Sequence, residues 1–303
     1  MKQADLALYE AKDLGRNRIV TYDEEFGRRF DARQQLFADV DRALAADRFV
    51  AVYQPCICLQ SERVVGFEAL VRWNDGSNRL AGPGNFRQVF EDADYATRIS
   101  DTVLRQAIAD AGECNRRELP FERLSVNVTE LQLIDPQFTE TLTALLARHG
   151  LAPNRLTIEV TERVLLSRHD TIIKERLAEL SSLGIGISLD DFGTGFASLT
   201  QLHRFAIDSV KIDHSIIGGI EHDEMARIIA SGIVRMVHDL GLDVVAEGVE
   251  DAGIDAVVRE LGFDFAQGFF HAEPMRIEEL AEWCEQRAPL RIDHAVTHGD
   301  DTG

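Results

Sequence analysis

Seven apolar, strand-like runs carry, at or near their ends, a residue able to hold a hard cation or a phosphate. These residues are Glu68, Asn127, Glu159, Asp190 with Asp191, Lys211, Glu247 and Gln267. The set holds five carboxylates, one amide oxygen, one lysine and one glutamine, with neither histidine nor cysteine. Such oxygen donors suit Mg2+ or Mn2+ rather than zinc or copper. Gathered in one mouth, the carboxylates would not all stay ionised without cations. Two divalent ions would neutralise them and then attract phosphate. A pair of ions about 3.5–4 Å apart is a standard device for in-line hydrolysis of a phosphodiester.

The elements that must position these groups follow a rhythm. Two strand runs, FVAVYQPCICL and RVVGFEALVRW, are separated by the short turn QSE and therefore pair antiparallel, since parallel neighbours need a longer crossover. Helical stretches follow near 85–91 and 95–118. The chain then alternates strand, polar strand end and helix: LSVNVTE with a helix at 136–149, LTIEVTE with 171–183, and ISLDD with a glycine loop and a helix start at 197–202. DSVKID with 225–240, DVVAEGVE with 253–261, and FDFAQGFF with 277–286 complete the series. Near-continuous apolar strands alternating with helices predict a parallel sheet covered by helices. About eight strands in roughly 230 residues predict an α/β fold, a TIM-like (β/α)8 barrel with a reversed first strand. In a barrel, residues at the C-terminal strand ends converge on one mouth.

Each candidate has a plainer reading. Asp191 can cap a helix, with Asp190 on the surface; Asn127 can cap the next turn. Lys211 can snorkel to solvent, or sit beside an attacking water and stabilise negative charge. Glu162, three residues after Glu159, either holds the loop after Asp191 through its backbone or is a first-turn helix carboxylate. Glu250 reads more readily as a helix-start charge than Glu247 does. For Glu68 and Glu159, inside apolar strands of a barrel without a wet face, the ligand reading is preferred.

Composition bounds the rest. The 303 residues are 45% hydrophobic and 28% charged, an ordinary globular balance. Lys and Arg number 32 against 52 Asp and Glu, a net charge of −20. That charge excludes a basic surface for nucleic acid polymers or an anionic membrane. The cysteines Cys56, Cys58, Cys114 and Cys284 form no CxxC pair or zinc spacing, and packing is the preferred reading for Cys56 and Cys58. No apolar run reaches membrane-spanning length and the first residues do not read as a signal peptide, so a cytoplasmic setting is expected.

The first 22 residues read as one helix and one strand, too little for a core, and so as the end of an upstream domain. ADLALYEAKDLGRNR resembles the tail of GGDEF domains, although no cyclase signature is present. The expected organisation is a remnant at 1–22, a connector helix within 23–48, a barrel at 49–287 and a disordered tail at 288–303.

From about residue 53 to 274, YQP, GFEALVRW, SVNVTE, EVTE, DDFGTGFASL, VKID, AEGVE and QGFF occur in an order that resembles the EAL family of cyclic di-GMP phosphodiesterases. The resemblance implies a barrel with an antiparallel first strand and hydrolysis of cyclic di-GMP to linear pGpG by a water activated between two Mg2+ or Mn2+ ions. It implies Glu68, Asn127, Glu159 and Asp190 as ligands of one metal, with Asp191 and Glu247 near the second. Lys211 matches the lysine that holds the attacking water, and Glu247 also matches a general base. Gln54 and Arg72 match substrate contacts, Arg72 suited to a phosphate oxygen. Glu162 matches a loop anchor, while Asp213, Glu250 and Gln267 fall on supporting or substrate-side positions. Calcium is expected to inhibit, because looser coordination misplaces the water. A homodimer is expected as well.

Three departures stand out: Ala206 where the family often has proline, GPGNFRQVFEDAD in place of an SPxxFIPLAE-like run, and GTGFASL for GTGYSSL. The alternatives are a catalytically silent cyclic di-GMP receptor and an unrelated metal-dependent barrel enzyme, such as one forming enolates. The receptor reading is weakened because every expected ligand is present.

Overall fold

The computed structural model describes residues 19, 21, 23–77, 79–117, 123–194 and 204–286. Apart from residues 19 and 21, the GGDEF-like remnant lies outside the described residues, as do the helix start expected at 197–202 and the tail expected after residue 287. Among the described residues, no helix is long and apolar enough to cross a membrane.

The short turn after Leu59 folds β1 (Phe49–Cys58) back on β2 (Val64–Asn74), antiparallel, with Gln54 opposite Glu68. A short β3 (Leu80–Ala81) pairs with the far end of β2. Six parallel strands follow round the ring: β4 (Leu124–Asn127), β5 (Leu156–Thr161), β6 (Gly186–Phe192), β7 (Ser209–Ile212), β8 (Asp243–Glu247) and β9 (Phe265–Gln267). β2 pairs parallel with β4, while β9 meets β1 antiparallel through Ile57 opposite Ala266, which closes an eight-stranded barrel with β1 reversed.

The strands are less uniformly apolar than the sequence suggests. Ile158 and Val160, Ile187 and Leu189, and Val210 and Ile212 belong to the core packed under the helices. The alternate residues, Thr157 and Glu159, Ser188 and Asp190, and Ser209 and Lys211, share the other face of each strand, which is the lumen. Ser209 donates to Ser188 Oγ at 2.9 Å across β6 and β7. A polar lumen is therefore built in by strand alternation, small hydroxyls deep and charges toward the mouth.

Helices cover the outside: α1 (Glu24–Ala45), α2 (Ala93–Arg116), α3 (Glu130–Ile134), α4 (Phe138–His149), α5 (Glu162–Leu165), α6 (Asp170–Ser182), α7 (His214–Ile217), α8 (Glu224–Asp239), α9 (Ala252–Leu261) and α10 (Ile277–Gln286). The expected helix at 85–91 is instead a 3-10 segment, Pro83–Glu91, broken at Phe86 with φ −137°. The break falls at Phe86, whose ring packs against Phe49 and Trp73, while Pro83 at the first turn is compatible with a helix. Val40 and Ala43 of α1 join that second core with Phe49, Phe86, Val89 and Ile99, so α1 packs on the β1–β2 hairpin.

Candidate active site

Glu68 is buried and lies mid-strand rather than at a strand end, because β2 continues six residues past it toward Asn74. In the ladder it pairs beside Ser125 of β4, two residues before Asn127. Asn127 pairs beside Glu159, and Glu247 beside Gln267. The barrel thus brings polar residues from all seven strands into one cluster of hydrogen bonds and ion pairs around Lys211.

Lys211 is the centre of that cluster. Its Nζ donates to Glu159 Oε2 at 2.9 Å and to Glu68 Oε2 at 3.0 Å. Glu247 Oε1 lies 2.7 Å away and Asp190 Oδ1 3.4 Å away. Of the two readings of Lys211, snorkelling to solvent is excluded: the residue is 3% exposed. Burial works against its charge, but Asp190, Glu159, Glu247 and Glu68 outweigh burial and hold the ammonium well above the ordinary lysine range.

The carboxylates respond unequally. Burial, then repulsion from Glu68, pushes Glu159 well above its usual range. Burial, with Asp190 and Glu68, pushes Glu247 up to about 8 against the pull of Lys211. Burial also opposes ionisation of Glu68, yet Lys211 and the amide of Gln267 hold it low. Gln267 Nε2 donates to Glu68 Oε2 at 2.7 Å and to Gln54 Oε1 at 3.1 Å. Asn127 Nδ2 donates to Glu68 Oε1 at 2.9 Å. Gln54 in turn donates to the carbonyl of Ala272 at 3.1 Å.

Asp190 and Asp191 pose a geometric problem. Neighbours in a regular strand point to opposite faces. The β6–β7 register shifts between Leu189 and Phe192, and Asp191 takes φ 55°. That bulge turns both carboxylates to one side, where oxygens of Asp190, Asp191 and Glu247 lie within 4.8 Å of one another. The strained residue of the loop is thus Asp191 itself, while Gly193, two residues on, takes φ 103° without that cost. Burial, then Asp190 and Asp213, pushes Asp191 up to about 6. Glu162 accepts from the Gly193 amide at 2.9 Å, so the loop-anchor reading has its hydrogen bond.

Arg72 lies four residues beyond Glu68 on the same face of β2, half-buried, with its guanidinium donating to the Val71 carbonyl at 2.8 Å. Burial lowers its pKa while Glu68 opposes the fall. Asp213 caps α7 by accepting from Ser215 N at 2.9 Å. Glu250 is exposed and takes part in none of the cluster's hydrogen bonds or ion pairs. Gln54 and Gln267, expected to contact substrate, are buried and committed to each other and to Glu68.

Sequence reasoning missed two features. Cys56 shares a strand face with Gln54, and its thiol senses Lys211, Glu159, Glu68 and Glu247; burial pushes it up to about 12, so it stays protonated. A network also backs Asn127. Ser100 of α2 donates to the Asn127 carbonyl at 2.9 Å and to Gln132 Oε1 at 3.0 Å, while Gln132 forms a capping box with Thr129. The Thr-x-x-Gln spacing was the available signal.

The donor set fits divalent cations. Five carboxylates around one ammonium leave four formal negative charges, the charge that two divalent ions balance. Asp190 Oδ1 is buried without a hydrogen-bond partner among the described residues, an acceptor ready for a cation. Oxygen ligands of this kind favour hard metals.

The family model described as EAL domain matches residues 38–274. The bifunctional diguanylate cyclase/cyclic di-GMP phosphodiesterase MucR of Pseudomonas aeruginosa is 34% identical over 286 residues, 92% of this chain and 41% of MucR. The cyclic di-GMP phosphodiesterase PdeR of Escherichia coli is 31% identical over 286 residues, 94% of this chain and 43% of PdeR. The chain thus spans less than half the length of these relatives. Among solved structures, the PaMucR phosphodiesterase in complex with c-di-GMP superposes with a TM-score of 0.75 at 34% identity, covering 81% of this chain and 99% of that one. The chain belongs to the EAL domain family.

Proposed function

We propose that this chain hydrolyses cyclic di-GMP to linear pGpG. The observation that carries the reading is the lumen cluster itself: four carboxylates around a buried lysine, with Asp191 beside two of them, in a chain whose relatives MucR and PdeR are named cyclic di-GMP phosphodiesterases. Glu68, Asn127, Glu159 and Asp190 would hold one Mg2+ or Mn2+, and Asp191 with Glu247 the other. When bound, such ions polarise the phosphate and make water a competent nucleophile near neutral pH.

The chain's own groups supply the rest. Lys211, its charge favoured by the surrounding acids, orients the attacking water and stabilises negative charge growing on the phosphoryl oxygens. Glu247, whose Oε1 lies 2.7 Å from Lys211 Nζ, stands where it would either hold the second ion or take the proton from that water. Arg72, above Glu68 on the same strand face, suits a phosphate oxygen of the substrate. Gln54 and Gln267 position Glu68, and Glu162 fixes the loop after Asp191 through Gly193. We extend the proposal to a homodimer: Met225, Ile228 and Ile229 are exposed apolar residues along one helix, α8.

The receptor alternative predicts binding without product. Chromatography of cyclic di-GMP incubated with the protein and Mn2+ separates the two. The proposal expects pGpG; intact cyclic di-GMP that is nonetheless retained by the protein would favour the receptor.

A further inference from the structure

Between the backbone arch that carries Asp190 and Asp191 and the one that carries Glu247 lies α7, a single turn beginning right after β7. Its contacts to both arches are made at glycines. On one side, His214 Nδ1 is 3.2 Å from the carbonyl of Gly248, the residue that follows Glu247. A carbonyl only accepts, so Nδ1 carries the proton and donates. The ring fills the space a side chain would take: a Cβ on Gly248, whose φ is +68°, would lie 2.5 Å from Nδ1. A Cβ on Gly218 would lie 2.8 Å from ring Cε1, so the ring sits between two glycines.

On the other side, Ile216 Cδ1 occupies the place of a Cβ on Gly193, at 2.2 Å, and Gly193 has φ +103°. Gly193 is two residues after Asp191, and its amide is the one held by Glu162. Asp213, which caps α7, also donates its own amide to the Phe192 carbonyl at 3.3 Å. Both arches therefore reach α7 where only glycine fits, one through a ring and a hydrogen bond, the other through a methyl group.

We infer that α7 is a wedge that sets the spacing of the Asp190–Asp191 and Glu247 carboxylates, with His214 and Ile216 as its positioning residues. Neither side chain reaches the acids. Each acts on the backbone two residues or fewer from one of them. The consequence for metal affinity rests on the metal-site reading above; the wedge itself does not.

The test uses the full chain with four substitutions: His214→Ala, His214→Asn, His214→Gln and Ile216→Ala. Asparagine places an amide NH2 where Nδ1 stands; glutamine carries its donor one bond further out. Amide hydrogen exchange in metal-free protein reads the arches directly. His214→Ala and His214→Gln should speed exchange at 247–250 about tenfold, and Ile216→Ala should do so at 190–194, while His214→Asn stays within about twofold of the parent. Calorimetric titration with Mn2+ should show affinity about tenfold weaker in the loosened variants and restored in His214→Asn. The wedge is overturned if exchange in both arches stays at the parent rate, or if His214→Asn falls as far as His214→Gln. Should the alanine variants fail to fold, the Asn and Gln pair decides. A parent protein that takes no Mn2+ would instead overturn the metal reading, and exchange would still decide the wedge.

Discussion

Lys211 and Glu68 stand on strands diametrically opposite in the barrel ring, four steps apart in either direction, yet their charged atoms are 3.0 Å apart. The lumen is narrow enough for side chains from facing walls to meet at its axis. That meeting converts acids scattered along 180 residues of sequence, from Glu68 to Glu247, into one electrostatic unit. It also makes Lys211 the counter-ion that these acids share.

Replacing Lys211 with Met should leave those acids facing one another without compensation. Breaking a buried ion pair from one side costs about 3–5 kcal/mol. Denaturant unfolding in chelator should show a loss of that order, and turnover with Mn2+ should fall at least about 100-fold. Unchanged stability in chelator would contradict the central place given to this lysine.

Asp190→Asn and Glu247→Gln keep shape and remove charge. Each should cut turnover by about 10²–10⁴-fold with an unchanged circular dichroism spectrum. Equal turnover in either variant would remove that residue from the proposed machinery.

Stability should depend on pH in a particular direction. Asp191 is pushed up to about 6 and Glu247 to about 8, both above their unfolded values. Between unfolded and folded pKa the native state then binds more protons than the unfolded one. The stability these groups contribute is present at low pH and lost as pH rises through the folded values. The melting temperature of chelated protein should therefore fall from about pH 5 to 8 on their account. Added Mg2+ or Mn2+ should raise it most at the alkaline end. A metal-induced rise that is largest near pH 5 would contradict the assignment.

Glu162→Ala removes the acceptor for the Gly193 amide. The bond is worth about 1–3 kcal/mol when its charged acceptor is lost. The expected effect is weaker Mn2+ and substrate binding with most of the fold's stability retained. Titration calorimetry checks the first and thermal melting the second. Equal affinity in the variant would leave Glu162 as an ordinary helix-start carboxylate.

Much of this was legible in the sequence, and the reasons for the remainder are physical. The QSE turn dictated a hairpin and hence a reversed β1. The recurrence of strand, polar end and helix dictated the barrel and therefore the convergence of Glu159, Asp190, Lys211 and Glu247. The direction of Asp191 was hidden, because a bulge changes which face a residue points to without changing its type. The depth of Glu68 was misjudged as a strand end, since nothing local shows how far β2 runs past it. Lys211 carried two readings that only the closed ring separates, because a lysine beside apolar neighbours snorkels or is enclosed according to what faces it. Residues 85–91 looked helical by spacing, but Phe86 gains more by joining Phe49 and Trp73 than by keeping a regular turn. Ser100, which backs Asn127, is one polar residue on an amphipathic helix, and its role exists only once α2 lies against β4.

The most direct measurement is anomalous scattering at the manganese edge from crystals grown with Mn2+. Two peaks in the cup lined by Glu68, Asn127, Glu159, Asp190, Asp191 and Glu247 are predicted, with Lys211 at their edge. A single peak, or none while Lys211 keeps all of its carboxylate partners, would contradict the paired-cation site.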